Sequence, residues 1–158
     1  MILPPMKLRA LLPAFAVLAS LSMYPCRTLA DDDDDFNSLP PAVQKTAHEQ
    51  IGKSAIEEVE DTYEEGQHAT EVEYSENGKK MAVVIAKDGT LIQKEYRMSP
   101  ADAPDVIKKA VSTQFPEGKI SHIKEVERKD GKFFEVSVKA GGKAHQLKLD
   151  EEGKTVAD

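Results

Sequence analysis

Four histidines, one cysteine and 28 acidic residues are the groups in this chain that could do chemistry. His48, His68, His122 and His145 lie in no HExxH-type spacing and beside no cysteine, so no local zinc signature exists. There is no GxSxG, P-loop or GxGxxG, and Lys139-Ala-Gly-Gly-Lys143 reads as a hairpin turn, not as a phosphate cradle. Carboxylate pairs abound, but acid/base work needs a pocket that splits their pKa values, and no such pocket is named by the sequence. The expectation is therefore no catalytic residue, no cofactor, no metal ligand and no enzyme. Asp31–Asp35 is a block of like charges without the glycine-bearing loop of a calcium hand, and it is expected to stay a solvated lead-in. A calcium-type cation site combining that run with the glutamates between Glu57 and Glu65 is the competing reading.

Composition and the N-terminus set the address. Lys7 and Arg9 precede an apolar run from Ala10 to Met23, and Thr28-Leu29-Ala30 offers small residues before a cut. That pattern is a secretory signal peptide over residues 1–30, cleaved after Ala30, with Met1 or Met6 as the start. The run is shorter than the ~20 residues that span a bilayer, so no stable membrane insertion is expected after cleavage. The only cysteine, Cys26, leaves with the leader, which excludes a disulfide or a thiol nucleophile in the remainder. The leader also takes three basic residues, leaving 18 Lys and Arg against 28 Asp and Glu. Such a field disfavours nucleic acid and anionic membrane surfaces. A periplasmic or secreted protein results.

The elements that must position any site come in two sets. Leu39 to Lys94 aligns with Ala103 to Asp158 at an offset of 64 residues without a gap. Identities are few, but apolar positions stay in phase: Val43 with Ile107, Ala47 with Val111, Val83 with Leu147, Ile85 with Leu149. Ser38 and Asp102 read as matching N-caps, with Pro40 and Pro104 in the first turns. Val43, Ala47 and Ile51, and Ile107, Val111 and Phe115, give each helix one apolar stripe. Gly52 and Pro116 stop both helices. The period then falls to two: Val72 and Tyr74 share a face, as do Phe134, Val136 and Val138, and Asn77-Gly78 and Gly141-Gly142 are hairpin turns. A less clearly alternating strand precedes each set, near Glu57–Tyr63 and Ser121–Glu127.

The expected fold is α+β: two tandem helix-plus-antiparallel-sheet repeats of αβββ(β) order, with the helices packed on one sheet face. The expected layout is an acidic disordered lead-in at 31–37, repeat 1 at 38–96, a linker at 97–102 and repeat 2 at 103–158. At roughly 60 residues neither half has much stability to spare, so the two should share a core or a continuous sheet. The other sheet face remains open, and Phe133, Glu135, Glu71, Glu73 and Val84 point to it. Because alternation forces one of Phe133 and Phe134 outward, Phe133 is the candidate anchor for a protein partner.

Leu39-Pro-Pro-Ala-Val43, Val72-Glu-Tyr74, Asn77-Gly-Lys79 and Asp88-Gly-Thr-Leu91, echoed by Ala103-Pro-Asp-Val-Ile107, Phe134-Glu-Val136 and Glu152-Gly153, resemble the PepSY-like family, in its β-lactamase-inhibitor-like branch. The resemblance implies tandem small α+β modules, exported and without catalytic residues, that inhibit or regulate secreted enzymes by protein contact. The chain departs from the pattern at its end: the second copy stops where the first continues through Tyr96, which leaves its last strand short.

Overall fold

A computed structural model describes residues 32–156. The proposed leader and its cleavage point lie outside the described residues. Among the described residues, three α-helices, α1 (Asp32–Ser38), α2 (Pro41–Ile51) and α3 (Asp105–Gln114), accompany seven strands. The strands are β1 (Ile56–Glu64), β2 (Gln67–Glu76), β3 (Lys79–Ala86), β4 (Leu91–Met98), β5 (Lys119–Arg128), β6 (Gly131–Ala140) and β7 (Lys143–Asp150). They form one antiparallel sheet in sequence order, with a short 3-10 turn (Pro100–Asp102) and α3 spanning the β4–β5 connection. No helix among the described residues is long and apolar enough to cross a membrane.

Local chemistry explains the elements. The Asn77-Gly78 and Gly141-Gly142 turns hold positive φ at both positions (52° and 76°, then 56° and 74°), which matches the right-handed twist of the strands they join. β2 and β6, and β3 and β7, begin and end 64 residues apart, and bulges recur at Ile56/Glu58 and Ile120/His122. The helices start later than the cap residues suggested. Pro40 and Pro104 occupy the N-cap positions without a side-chain cap, and their carbonyls accept the first helical bonds, from Val43 and Gln44 and from Ile107 and Lys108. Ser38 instead donates its hydroxyl to the Asp35 carbonyl within α1, and Asp102 closes the 3-10 turn.

Both helices lie on the same sheet face, over separate clusters. Val43, Ala47 and Ile51 of α2 pack on Val59, Val72, Tyr74, Val83 and Ile85. Ile107 and Val111 of α3 pack on Ile123, Phe134, Val136, Val138 and Leu149. Between the clusters the same face carries Lys94, Glu127 and Lys132 in register, and Lys132 bonds Glu125 at 2.9 Å. The halves therefore share a sheet and not a core. Each is closed by a turn glycine seated on its helix: Thr46 Oγ1 donates to the Gly89 carbonyl at 2.7 Å, and Gly153 abuts Val106 and Ala110 of α3.

The lead-in and the linker need correcting. Residues 32–38 are helical, because Phe36 follows the aspartate run and drops into the first core, 4% exposed, edge-on to the His48 ring at 5.1 Å. The stretch 97–102 finishes β4 and forms the 3-10 turn. Phe36→Ala is expected to cost about 3 kcal/mol in urea unfolding and to free α1 amides to exchange with solvent. An unchanged midpoint would show that α1 is dispensable.

Candidate functional site

Cross-strand register defines what the open face presents. One row runs Glu60, Glu71, Val84, Gln93, Arg128 from β1 to β5. The next runs Glu73, Ala82, Glu95, Val126, Phe133 from β2 to β6. A third runs Lys80, Arg97, Lys124, Glu135, Lys148 from β3 to β7. Acidic rows thus sit beside a basic one, and the basic side chains lean back over them.

Arg128 shows that this face is concave. Its guanidinium pairs with Glu64 and, at 3.0 Å, with Glu65 at the β1–β2 turn, while its Nε donates to Gln93 Oε1 at 2.7 Å. In a flat sheet β1 and β5 would stand about 19 Å apart, four strand spacings. The contact requires the sheet to curl so that the β1–β2 hairpin closes over Ala69, Val84, Ala86 and Ile92, which form a third buried cluster.

Beside that fold-over lies a charged network in which Glu73 and Glu95 are buried and the cations Arg97 and Lys124 reach partly into solvent. The Glu95 side chain is 1% exposed, and its Oε1 accepts from Gln93 Nε2 at 2.6 Å and Lys124 Nζ at 2.7 Å. Its Oε2 is buried with no hydrogen-bond partner. Lys124 also reaches Glu135 at 3.1 Å; Arg97 pairs with Glu73 and lies 3.5 Å from Glu71. Burial works against the Lys124 ammonium, but Glu95 and Glu135 outweigh it and hold its pKa above the ordinary lysine value. Burial, with the Glu95 and Glu73 carboxylates, raises Glu71 from 4.5 to about 7 against the pull of Lys124 and Arg97. A groove of about 550 Å³ adjoins the network, lined by Arg97, Lys124, Glu135, Ser121, His122, Ser137 and Gln146. Its serine hydroxyls are committed elsewhere: Ser121 donates to the Ser137 carbonyl and Ser137 to Gln146 Oε1. The groove can hold polar groups of a ligand or partner, and these bonds align no serine as a nucleophile.

The five residues singled out from the sequence all lie on this face, with different fates. Glu71, Glu73 and Glu135 join the network. Phe133 points outward as alternation requires, yet it is only 8% exposed, with the Arg128 guanidinium 5.0 Å and the Lys148 ammonium 4.4 Å from its ring centre. Val84, 1% exposed, lies beneath the curled hairpin. Neither is an exposed anchor, because the curl and the long cationic side chains cover what strand parity alone leaves bare. Sequence reasoning missed Gln93, Glu95, Arg97, Lys124 and Arg128. The available signal was the alternation of charge along β4 and β5. Among the described residues, no group of three or more His, Cys, Asp or Glu side chains is placed to hold a metal ion.

Solved structures share this architecture. A BLIP-like protein from Bacteroides fragilis is 18% identical over 79% of this chain and 89% of its own, with a TM-score of 0.58. A DUF2874 family protein from Bacteroides ovatus is 15% identical over 76% and 86%, with a TM-score of 0.62. A Bacteroides eggerthii protein described as periplasmic is 14% identical over 75% and 86%, also at 0.62. At such identities the likeness concerns the fold. No curated protein sequence matches the chain. A family model does match, over residues 69–156, from the second strand through the last described residue and across more than half of the sequence. The chain belongs to the beta-lactamase-inhibitor-like, PepSY-like family.

Proposed function

We propose that this chain is a non-enzymatic protein-binding module of the cell envelope that docks its partner on the concave open face of the sheet, in the role of an inhibitor or regulator of an exported enzyme. The observation that carries the reading is the Glu73–Arg97 and Glu95–Lys124 network. Burying charges is costly, and an apolar floor of similar volume is often at least as stable, so a sheet face retains such a network more readily for specificity than for stability. The groove beside the network leaves room for side chains of another protein. The description of the Bacteroides fragilis neighbour as BLIP-like and of the Bacteroides eggerthii neighbour as periplasmic supports binding and an envelope address. The leader-like N-terminus agrees with that address. The matched spacing of β2 with β6 and β3 with β7 supports an origin by duplication of one αβββ(β) unit, which would make the concave face a joint product of both copies.

A photo-crosslinking residue at Gln146 or Lys80 on the open face, expressed in intact cells, is expected to trap one discrete protein partner. The same group at Lys109 or Glu49 on the helix side is expected to trap none. Capture from the helix side alone would overturn the assignment.

A further inference from the structure

We propose that the α2 half of the chain carries a binding site for a small apolar zwitterion, a free amino acid or dipeptide, in the cavity framed by Asp61, His68, Thr70 and Lys87 beside the start of α2. The site lies on the helix side of the sheet and does not depend on the docking assignment.

Register places the polar groups. Asp61 on β1 pairs with Thr70 on β2, and Tyr63 with His68, on the face that carries Val59 and Val72 of the first core. Lys87 directly follows β3, one residue beyond the Ala69–Ala86 pair. With Leu39, Pro40 and Val43 they line a cavity of about 260 Å³. That is below the ~300 Å³ at which pockets for drug-sized ligands begin, so its occupant is small. Thr70 is buried, yet among the described residues its hydroxyl makes no hydrogen bond, and neither Asp61 nor Lys87 has an ion pair. His68 meets only the Tyr63 ring, edge-on at 5.3 Å. A buried hydroxyl without a partner costs free energy that a bound polar group would recover.

The α3 half is the internal control. At the same offset of 64 residues, Phe134 stands in the place of Thr70, Lys132 in that of His68, Glu125 in that of Asp61 and Glu151 in that of Lys87. The register is the same, since Glu125 pairs with Phe134 and Glu127 with Lys132. There Phe134 fills the core and Lys132 bonds Glu125 at 2.9 Å, so the space is closed and the charges answer one another. In the α2 half threonine leaves the space open, and Lys87 and Asp61 line it without meeting.

These groups select the ligand. Asp61 can accept from an ammonium, Lys87 can donate to a carboxylate, and the Thr70 hydroxyl between them can do either. Leu39, Pro40 and Val43 offer an apolar side chain its contact. A ligand with one sign of charge would leave one wall facing its like. Asp61 and Lys87 stand two strands and two residues apart, about 12 Å between Cα atoms. The lysine stem and a hydrogen bond at each end bring that gap within the span of a dipeptide.

Nitrogen-15 NMR of the protein, titrated with Ala-Leu and separately with leucine, tests the site. Shifts are expected at the amides of Asp61, Thr70 and Lys87, and none at Glu125, Phe134 and Glu151. Asp61→Asn and Lys87→Gln, both at exposed positions, should each weaken binding about tenfold or more, the effect of one charged hydrogen bond. N-acetyl-Ala-Leu should bind as weakly to the unmodified chain as Ala-Leu binds to Asp61→Asn. Thr70→Phe, which reproduces the filled α3 half, should abolish binding. The same variant pattern with leucine supports the site with the free amino acid as its ligand; a response to Ala-Leu alone supports it with the dipeptide. No shift at millimolar concentrations of either overturns the site, as does binding that neither charge substitution weakens or that acetylation leaves unchanged.

Discussion

Lys124→Met is expected to destabilise the protein by about 3 kcal/mol at pH 8, because it leaves the Glu95 carboxylate, 1% exposed, without its cation. Its Oε1 would retain only the Gln93 amide, and its Oε2 has no partner already. The methylene stem of the lysine is replaced by methionine, so packing is largely kept and the loss reports on charge. Urea unfolding at pH 8 reads the loss. The Lys124 pKa is raised in the folded state, so its own contribution is fully present there and is lost only as pH rises through the raised value. The double variant Lys124→Met/Glu95→Gln should recover most of the loss. A single variant within ~0.5 kcal/mol of the parent, the ordinary range for a surface substitution, would mean that the pair is solvated in solution.

Gly89→Ala is the second large effect, about 3 kcal/mol, in which left-handed backbone strain is ~1–2 kcal/mol and overpacking the rest. Gly89 has φ +91°, and an added Cβ would meet both the Cβ and the carbonyl oxygen of Ala42 at 2.9 Å. The turn would have to lift from α2, loosening the Thr46 hydroxyl bond to the Gly89 carbonyl. Gly78→Ala is the reference: φ is +76° but nothing lies within 4 Å, so only backbone strain applies. Gly153, whose added Cβ would stand 3.1 Å from the Val106 carbonyl, should fall between the two. Chemical denaturation of the three variants gives the ranking. Equal losses at Gly78 and Gly89 would show that the helix and turn move apart freely.

The contrast between these sites shows what a single sequence can reveal. Period-two alternation identified the helix-side residues Val72, Val83, Val136 and Val138, since each is decided by its own strand and by one apolar stripe above it. The turns were legible for the same reason: Asn77-Gly78 states its geometry within two residues. Strand parity also sorted Phe133 from Phe134 correctly, but burial of Phe133 depends on Arg128 and Lys148 reaching over it. Likewise, Val84 is covered because the sheet curls, a property of several strands together. Glu95 escaped notice because a glutamate in an alternating strand reads as solvated, and only its burial between Ala82 and Val126, bonded to Lys124 of the next strand, makes it otherwise. Phe36 was masked by the aspartates before it. Local signals set elements and parity; curvature and ion pairing between distant strands set the site.

The two helix-side clusters, separated by Lys94, Glu127 and Lys132, are joined through the β4–β5 ladder and, on the open face, the Lys124–Glu95 pair and the Arg128 clasp. Should that seam part, each half would keep its own helix and lose only a neighbour, exposing a long unsatisfied strand on either side. Two molecules opened in this way could trade halves and reseal as an intertwined dimer, each rebuilding the same seven-stranded sheet from two chains.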